Sequence, residues 1–465
     1  MTSEITLEKP AANGVARGQF EQHFRGQLIR PGDGAYDQAR QVWNGAVDKR
    51  PALIARCADG DDVATAVRMA RAEGWPVAIR SGGHSGNGLS LVDDGLVIDL
   101  SQMKRVTVDV ERQVARVEPG LTLGELVQAL EPFGLITPTG TCSGNGLGGA
   151  TLGGGIGWLM GKYGLIIDNL LACEMVTAEG ELVRASATER PDLFWGLRGG
   201  GGNFGIVTAF EMRLYPLEEV LMGTFIYPFS QAGEAMRLYR DVTAQAPDEL
   251  AVMAVLTTMP EIGPAVALFA CYSGDDFGQG ERQLNVFRQA QPLVAVVQPM
   301  SYASLLAMMD PAAPDGRFYH DAAYTVRGFS DEAIDALLEQ VEQRVSPLAG
   351  VIIQHVHGAA SRVPAGETSF ALRFDHYAVL HSSAWESGPA EPHVRWAEES
   401  RAAMARFASQ GVYVNFLGDE GDDAVRASYG SNYRRLVELK NKYDPANFFS
   451  RNQNIRPTVD GDSGL

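Results

Sequence analysis

Two glycine-rich turns each carry one side chain able to form a covalent bond. The first is Arg80-Ser81-Gly82-Gly83-His84-Ser85; the second is Thr139-Gly140-Thr141-Cys142-Ser143-Gly144-Asn145-Gly146-Leu147-Gly148-Gly149. Glycine lets backbone approach a ligand closely and exposes N–H groups to anionic oxygens. A histidine and a cysteine in such turns point to a large phosphorylated cofactor that is attached as well as bound. Each residue alone has a plainer reading, His84 as a turn imidazole bonded to backbone and Cys142 as a small buried hydrophobe. The letters Gly144-x-Gly146-x-x-Gly149 fit a dinucleotide fingerprint, but no buried strand precedes them, so a Rossmann site is not expected.

The turns need elements to hold them. Pro76 to Arg80 reads as a strand running straight into the His84 turn, flanked by strands at Pro51–Cys57 and Gly95–Leu100 and a helix from Asp61 to Glu73. Val106 to Val117 alternates like a hairpin around Glu111-Arg112. Thr122 to Phe133 reads as a helix with Thr122 as N-cap and Gly134 just past its end. Strands are expected at Leu171–Thr177 and Gly205–Met212, with a short helix at Asp192–Gly196. After Leu214-Tyr215-Pro216-Leu217 glycine thins out, and alternating strands exchange with helices at Ser230–Ala246, Ser330–Val345 and Pro392–Ser409. That texture predicts a second α+β domain on an antiparallel sheet.

The bulk numbers fit this plan. A chain of 465 residues predicts two or three domains, and its 52 glycines cluster between positions 82 and 205. A net charge of −18 with no basic run argues against nucleic acid as a partner. The four cysteines show neither metal spacing nor disulfide density, which predicts a reduced, cytoplasmic setting. The N-terminal Met1-Thr2-Ser3-Glu4-Ile5 has no secretory character, residues 1–20 read as loose, and no apolar run reaches membrane-spanning length. Oligomeric state is not legible.

Val77-Ala78-Ile79-Arg80-Ser81-Gly82-Gly83-His84-Ser85 resembles the flavin-attachment turn of the berberine bridge enzyme-like FAD oxidoreductases, of the vanillyl-alcohol oxidase or PCMH type and of bacterial kind. The resemblance continues through Gly140-x-Cys142, Gly153-Gly154-Gly155-Ile156-Gly157-Trp158 and Lys162-Tyr163-Gly164-Leu165-x-x-Asp168-Asn169. It extends over Asp192 to Gly200 and Gly201 to Thr208, and closes with Tyr413-x-Asn415 and Tyr443-Asp444-Pro445-x-Asn447-x-Phe449. It implies an α+β protein: a PCMH-type FAD-binding domain of two subdomains at 21–216, an inserted substrate domain at 217–411 on an antiparallel sheet flanked by helices, and a C-terminal segment, 412–465, returning to the FAD domain. It also implies covalent FAD, through His84 and, as in bicovalent members, Cys142, although Ser143-Gly144 departs from the Pro-Thr common there. Such substituents favour the reduced flavin, making a stronger oxidant in an open site. The resemblance further implies cofactor contacts from Arg80, Ser81, Gly82, Gly83, Ser85, Thr141, Gly146, Gly148 and Gly149. Gly153, Gly157, Asn169, Gly202, Val207, Tyr413, Asn415 and Asn454 are expected to join them.

The implied reaction is hydride transfer from a small alcohol, phenolic, alkaloid or polyketide-like substrate, with electrons passed to O2 to give H2O2. Oxidative cyclisation and oligosaccharide oxidation or dehydrogenation are the alternatives. Many members carry Tyr-x-Asn-Tyr, whose second Tyr takes the substrate proton; here that position is Phe416, which has no acid–base group. The residue three past the attachment cysteine, which influences oxygen access, is Asn145 rather than an aliphatic. A substitute base is sought on the strand Val351-Ile352-Ile353-Gln354-His355-Val356-His357, where alternation puts His355 and His357 on one face. Tyr377 and His381 share a face of a second strand, Tyr319 and His320 come third, and Asn415 orients substrate or flavin. The bland reading packs both histidines under a helix. His-x-His also admits a zinc hydrolase, but no third ligand stands at convincing spacing, so no metal is expected.

Overall fold

A computed structural model describes residues 20–458. The expectation of a loose N-terminus falls on residues outside that range, apart from Phe20, which is buried.

The first sheet consists of β1 (Gln27–Ile29), β2 (Leu53–Arg56), β3 (Val77–Arg80) and β4 (Leu96–Asp99) in the order β1-β2-β4-β3. β2, β4 and β3 run parallel, while β1 is antiparallel to β2. The crossover is the helix Gly60–Glu73. Asp59 caps it by accepting from the N–H groups of Asp61 and Asp62, and Gly74 ends it in the left-handed conformation at φ 63°. Its buried face, including Val63, Val67 and Met69, packs in one core with Leu53 and Ile98 of the first sheet and with Val176 and Ile206 of the second.

The next strands are β5 (Val106–Asp109), β6 (Val114–Val117), β7 (Leu135–Ile136), β8 (Leu170–Val176), β9 (Leu182–Ser186), β10 (Ile206–Arg213) and β11 (Tyr215–Pro216). Five of them form an antiparallel sheet, β5-β6-β10-β8-β9, and β7 pairs with β11. The helix read as Thr122–Phe133 is shorter: Leu123–Leu130 is α-helical, and Glu131–Phe133 tightens into a 3-10 turn. Pro132 has no N–H to continue the ladder. Thr122 and Glu125 form the reciprocal capping box that fixes the start.

The third sheet holds β12 (Val220–Pro228), β13 (Leu250–Met259), β14 (Gly263–Tyr272), β15 (Val294–Met300), β16 (Phe318–Val326), β17 (Gly350–Val356) and β18 (His376–Trp385), ordered β15-β12-β14-β13-β17-β18-β16 and antiparallel throughout. The helices Ala232–Thr243, Phe277–Gln289, Asp331–Glu342 and Glu391–Met404 cover one face. Period-two alternation assigns Val351, Ile353, Tyr377 and Val379 to that covered face, where they share a core with Tyr239, Leu284 and Leu337. The opposite face presents Met253, Val356 and Ala378 to a core containing Ile156, Trp158 and Tyr413.

The C-terminal segment runs back onto the first two sheets. Phe449 is buried in the core of the first sheet. Lys440, wholly buried, donates from Nζ to Asp444 at 2.7 Å and to the carbonyls of Asn203 and Phe449. A buried ammonium persists only when its donors are satisfied in this way. Among the described residues no helix is long and apolar enough to cross a membrane.

Candidate functional site

The His84 turn leaves the end of β3, and Gly83 takes φ 71°, a conformation that other residues adopt only under strain. Gly82 then packs backbone to backbone on the second turn. A methyl on Gly82 would lie 2.4 Å from Gly146 Cα, and one on Gly146 would lie 2.3 Å from Gly82 N. Ser81 Oγ locks the pair by donating to the Pro119 carbonyl and accepting from Gly148 N–H at 3.1 Å. The interlock brings His84 beside the cysteine turn: a methyl on Gly144 would sit 3.8 Å from His84 Nε2. The glycines of both turns are therefore needed for each other as well as for any ligand.

His84 ends a stack of three rings. Its imidazole lies on Trp43 at 4.5 Å and 17°, and Trp43 lies on Tyr319 of β16 at 3.9 Å and 14°. Trp43 is anchored by its Nε1 donating to the Ala313 carbonyl at 2.9 Å, and Tyr319 by its hydroxyl donating to Pro314 O at 2.9 Å. Burial lowers the His84 pKa, so the imidazole is neutral and nucleophilic at neutral pH. Trp43 escaped the sequence reading because it lies far from both turns, with no motif around it.

The Cys142 turn is gripped from two sides. Leu123 N–H and Gly124 N–H donate to the carbonyls of Asn145 and Ser143. From the seven-stranded half, Asp310 accepts from Ser143 N–H at 3.0 Å, and Gln354 Nε2 donates to Thr141 Oγ1 at 3.4 Å. Burial pushes the Cys142 thiol up to about 11, against a neighbouring Thr141 hydroxyl that lowers it. The resting group is thus the thiol.

Further residues frame the same region. Asn415 lies against Gly153, where a methyl would be 2.1 Å from its Oδ1, and its Nδ2 donates to the Tyr413 hydroxyl at 2.9 Å. Tyr413 Oη accepts from Gly155 N–H as well. Phe416 sits edge-on to Tyr413 at 5.0 Å. Gly157 presses on the Thr139 carbonyl so closely that any side chain is excluded. Arg80 bonds the Ala39 carbonyl beside Gly83. Asp168 and Arg373 form a buried two-pronged ion pair, at 2.6 and 2.9 Å, which joins the glycine-rich half to the segment after β17.

Some expected residues have other work. Asn169 is held by protein: Nδ2 donates to the carbonyls of Tyr163 and Leu165, and Oδ1 accepts from Tyr215. In this arrangement it clamps a loop. Val207 is buried in β10. His355, Tyr377 and His381 point to the helix-covered face, and His357, just past β17, packs against Gly161. His355 stacks between His357, at 4.7 Å, and Tyr377, at 4.6 Å, and bonds Asp375 at 2.8 Å. Tyr377 bonds Thr243 of a covering helix, and His381 packs on Trp396 of another. His320 pairs with Glu398 on that second helix. The alternation did put these residues on a common face, but β17 offers the cofactor side its even-numbered residue Gln354 instead. Of the outer candidates, Tyr319 alone reaches the turns, through Trp43.

The site suits a large flavin nucleotide. Methyl groups on Gly149 and Gly202 would meet nothing within 4 Å, and Asn454 holds a buried Oδ1 with no partner. His84 and Cys142 lie deep in the molecule yet keep accessible surface. Among the described residues no three His, Cys, Asp or Glu side chains gather as a metal site.

Comparison with known proteins agrees with this geometry. Residues 51–186 match the model of an FAD binding domain, and residues 412–456 match that of berberine and berberine-like proteins. An FAD-linked oxidoreductase of Dictyostelium discoideum is 31% identical over 94% of this chain and 96% of its own. The FAD-linked oxidoreductase hasG of Aspergillus fumigatus is 42% identical, covering 90% of this chain and 94% of its own. The crystal structure of 6-hydroxy-D-nicotine oxidase from Arthrobacter nicotinovorans superposes with a TM-score of 0.86 at 29% identity, over 94% of this chain and 98% of that one. With interlocked glycine turns, an antiparallel sheet facing them and relatives aligned over nearly its whole length, the chain belongs to the berberine bridge enzyme-like family of FAD-dependent oxidoreductases.

Proposed function

We propose that the protein is an oxidase carrying FAD bound covalently through both His84 and Cys142. The observation that carries this reading is the interlock of Gly82 with Gly146, which sets His84 beside the cysteine turn. Bound FAD would supply the hydride acceptor and the route for electrons to O2, with H2O2 as product. His84 offers a neutral, stacked imidazole for attachment, and Asn415, Tyr413, Thr141 and Asn454 offer polar groups around the ring system and its chain. The two smaller sheets with the C-terminal segment serve as the FAD domain, 21–216 and 412–465, and 217–411 as the substrate domain.

The inner face of the sheet is apolar at Met253, Ala378 and Leu380, and Phe416 packs against the same core as Met253 and Ala378. This favours a small aromatic, phenolic, alkaloid or polyketide-like alcohol or amine over an oligosaccharide, and the solved relative is named for a hydroxynicotine. Intact mass of the denatured protein tests attachment. An FAD-sized increment retained in both His84→Ala and Cys142→Ala, and lost in the double variant, is expected. No increment in the wild type, despite bound yellow cofactor, overturns covalent attachment.

A further inference from the structure

We propose that Asp321 on β16 is the proton acceptor of this enzyme, taking the O–H or N–H proton of the substrate while the adjacent C–H leaves as hydride. The proposal rests on the oxidase reading above. Phe416 has no acid–base group, His355 and His381 face the covering helices, and His357 is buried against Gly161. A base must therefore come from the sheet face turned toward the glycine turns.

That face has few ionisable groups. β16 alternates so that Tyr319, Asp321 and Ala323 share the side on which Tyr319 stacks against Trp43. Tyr319 spends its hydroxyl on Pro314 O. His376 and Cys271 on the same face are wholly enclosed, with no surface to offer a substrate. Asp321 differs: it lies deep in the molecule yet remains partly accessible. Its Oδ1 is enclosed without a hydrogen-bond partner, and its Oδ2 is 3.5 Å from where a methyl on Gly86 would sit, two residues past His84. Asn44 ties that loop to β16 by donating to the carbonyls of Gly86 and Tyr319. Among the described residues no arginine or lysine pairs with the carboxylate. The facing groups are Ser382, opposite it on β18, whose hydroxyl works against the rise in its pKa, and His320 next in the chain, on the other face of β16. Burial raises its pKa from the ordinary 3.8, the direction a base near neutrality requires.

The balance is simple. The substrate H–C–X–H, with X oxygen or nitrogen, loses two electrons with the hydride to the flavin and one proton to the carboxylate, and a C=X bond forms. Before the next turnover the protonated carboxyl returns its proton to water.

The test uses the holoenzyme, a panel of aromatic alcohols and cyclic amines including (R)-6-hydroxynicotine, and the variants Asp321→Asn and Asp321→Glu. Anaerobic flavin reduction by whichever compound reduces the wild type is expected to slow by about 10²- to 10⁴-fold in Asp321→Asn. Asp321→Glu should keep part of the rate, and the acid limb of the rate–pH profile should vanish in Asp321→Asn. The covalent mass increment and reoxidation by O2 should be unchanged. A second readout needs no turnover. A carboxyl with a raised folded pKa loses stability as pH rises from 3.8 through that value, so the melting temperature of Asp321→Asn should exceed that of the wild type by a margin that grows toward neutral pH. Wild-type reduction rates in Asp321→Asn, or an acid limb that persists, overturn the proposal. If no panel compound reduces the wild-type flavin, the oxidase reading fails with it.

Discussion

Trp43→Ala should slow attachment of FAD to His84 while leaving the fold intact. The indole is covered on both faces, by His84 at 4.5 Å and Tyr319 at 3.9 Å, and donates one hydrogen bond to Ala313. Each stack contributes roughly 0.5–1.5 kcal/mol beyond area burial. Removing a buried Trp costs about 3–5 kcal/mol in all. Only the His84 stack bears on the nucleophile. Freed from it, the imidazole spends less time in the attacking rotamer, and a loss of about 1 kcal/mol corresponds to a rate lowered about fivefold. The measurement uses a Cys142→Ala background, so that only the histidyl bond is read. FAD-free protein is mixed with FAD, quenched in acid, and its intact mass followed in time. Trp43→Phe keeps a stacking face and should attach FAD at close to the parental rate, and circular dichroism confirms folding of each variant. An attachment rate for Trp43→Ala within experimental error of the parent, in folded protein, refutes the idea that the stack orients His84.

Gly146→Ala would drive a methyl to 2.3 Å from Gly82 N, so FAD content per chain should fall sharply, read as the ratio of flavin to protein absorbance. Asp168→Asn would leave Arg373, whose side chain is wholly buried, without its counter-charge; a loss of about 3–5 kcal/mol in denaturant unfolding is expected, and a change below about 1 kcal/mol would show the pair to be dispensable. His355→Ala faces the helices, so single-turnover flavin reduction should stay within about twofold of wild type; a hundredfold loss would restore it as the base. Burial depresses His357 and His376 from 6.5 to about 4. Their neutral forms stabilise the fold above pH 6.5, and that stability is lost as pH falls toward 4, by up to about 3 kcal/mol each. His376→Gln should flatten the melting-temperature profile in that window.

How far the sequence could be read follows from how local each signal is. The strand β3, the hairpin β5–β6, the caps at Thr122 and Gly134 and the helix after Asp59 rest on contacts within a few residues, so spacing alone exposed them. The continuous helix expected to Phe133 failed at its last turn because Pro132 withholds an N–H. That His84 and Cys142 each sit in a glycine turn was legible from residue type and spacing. Which face of the sheet each β17 and β18 side chain takes was not. Alternation states that His355 and His357 share a face but says nothing of which face is covered by helices, since that choice is made by separate helices, from Ala232–Thr243 to Glu391–Met404, packing onto the sheet.

By itself, then, the sequence determined the two glycine turns with His84 and Cys142 in them, the α+β texture and membership of a flavin family, because these are properties of residue type and short spacing. Only the tertiary structure decided what each side chain faces. It joined Gly82 to Gly146, slid Trp43 between His84 and Tyr319, turned His355 under the helices and left Asp321 on the inner face. The physical reason is that burial and partner choice are set by contacts between segments remote in sequence, and these have no periodicity of their own.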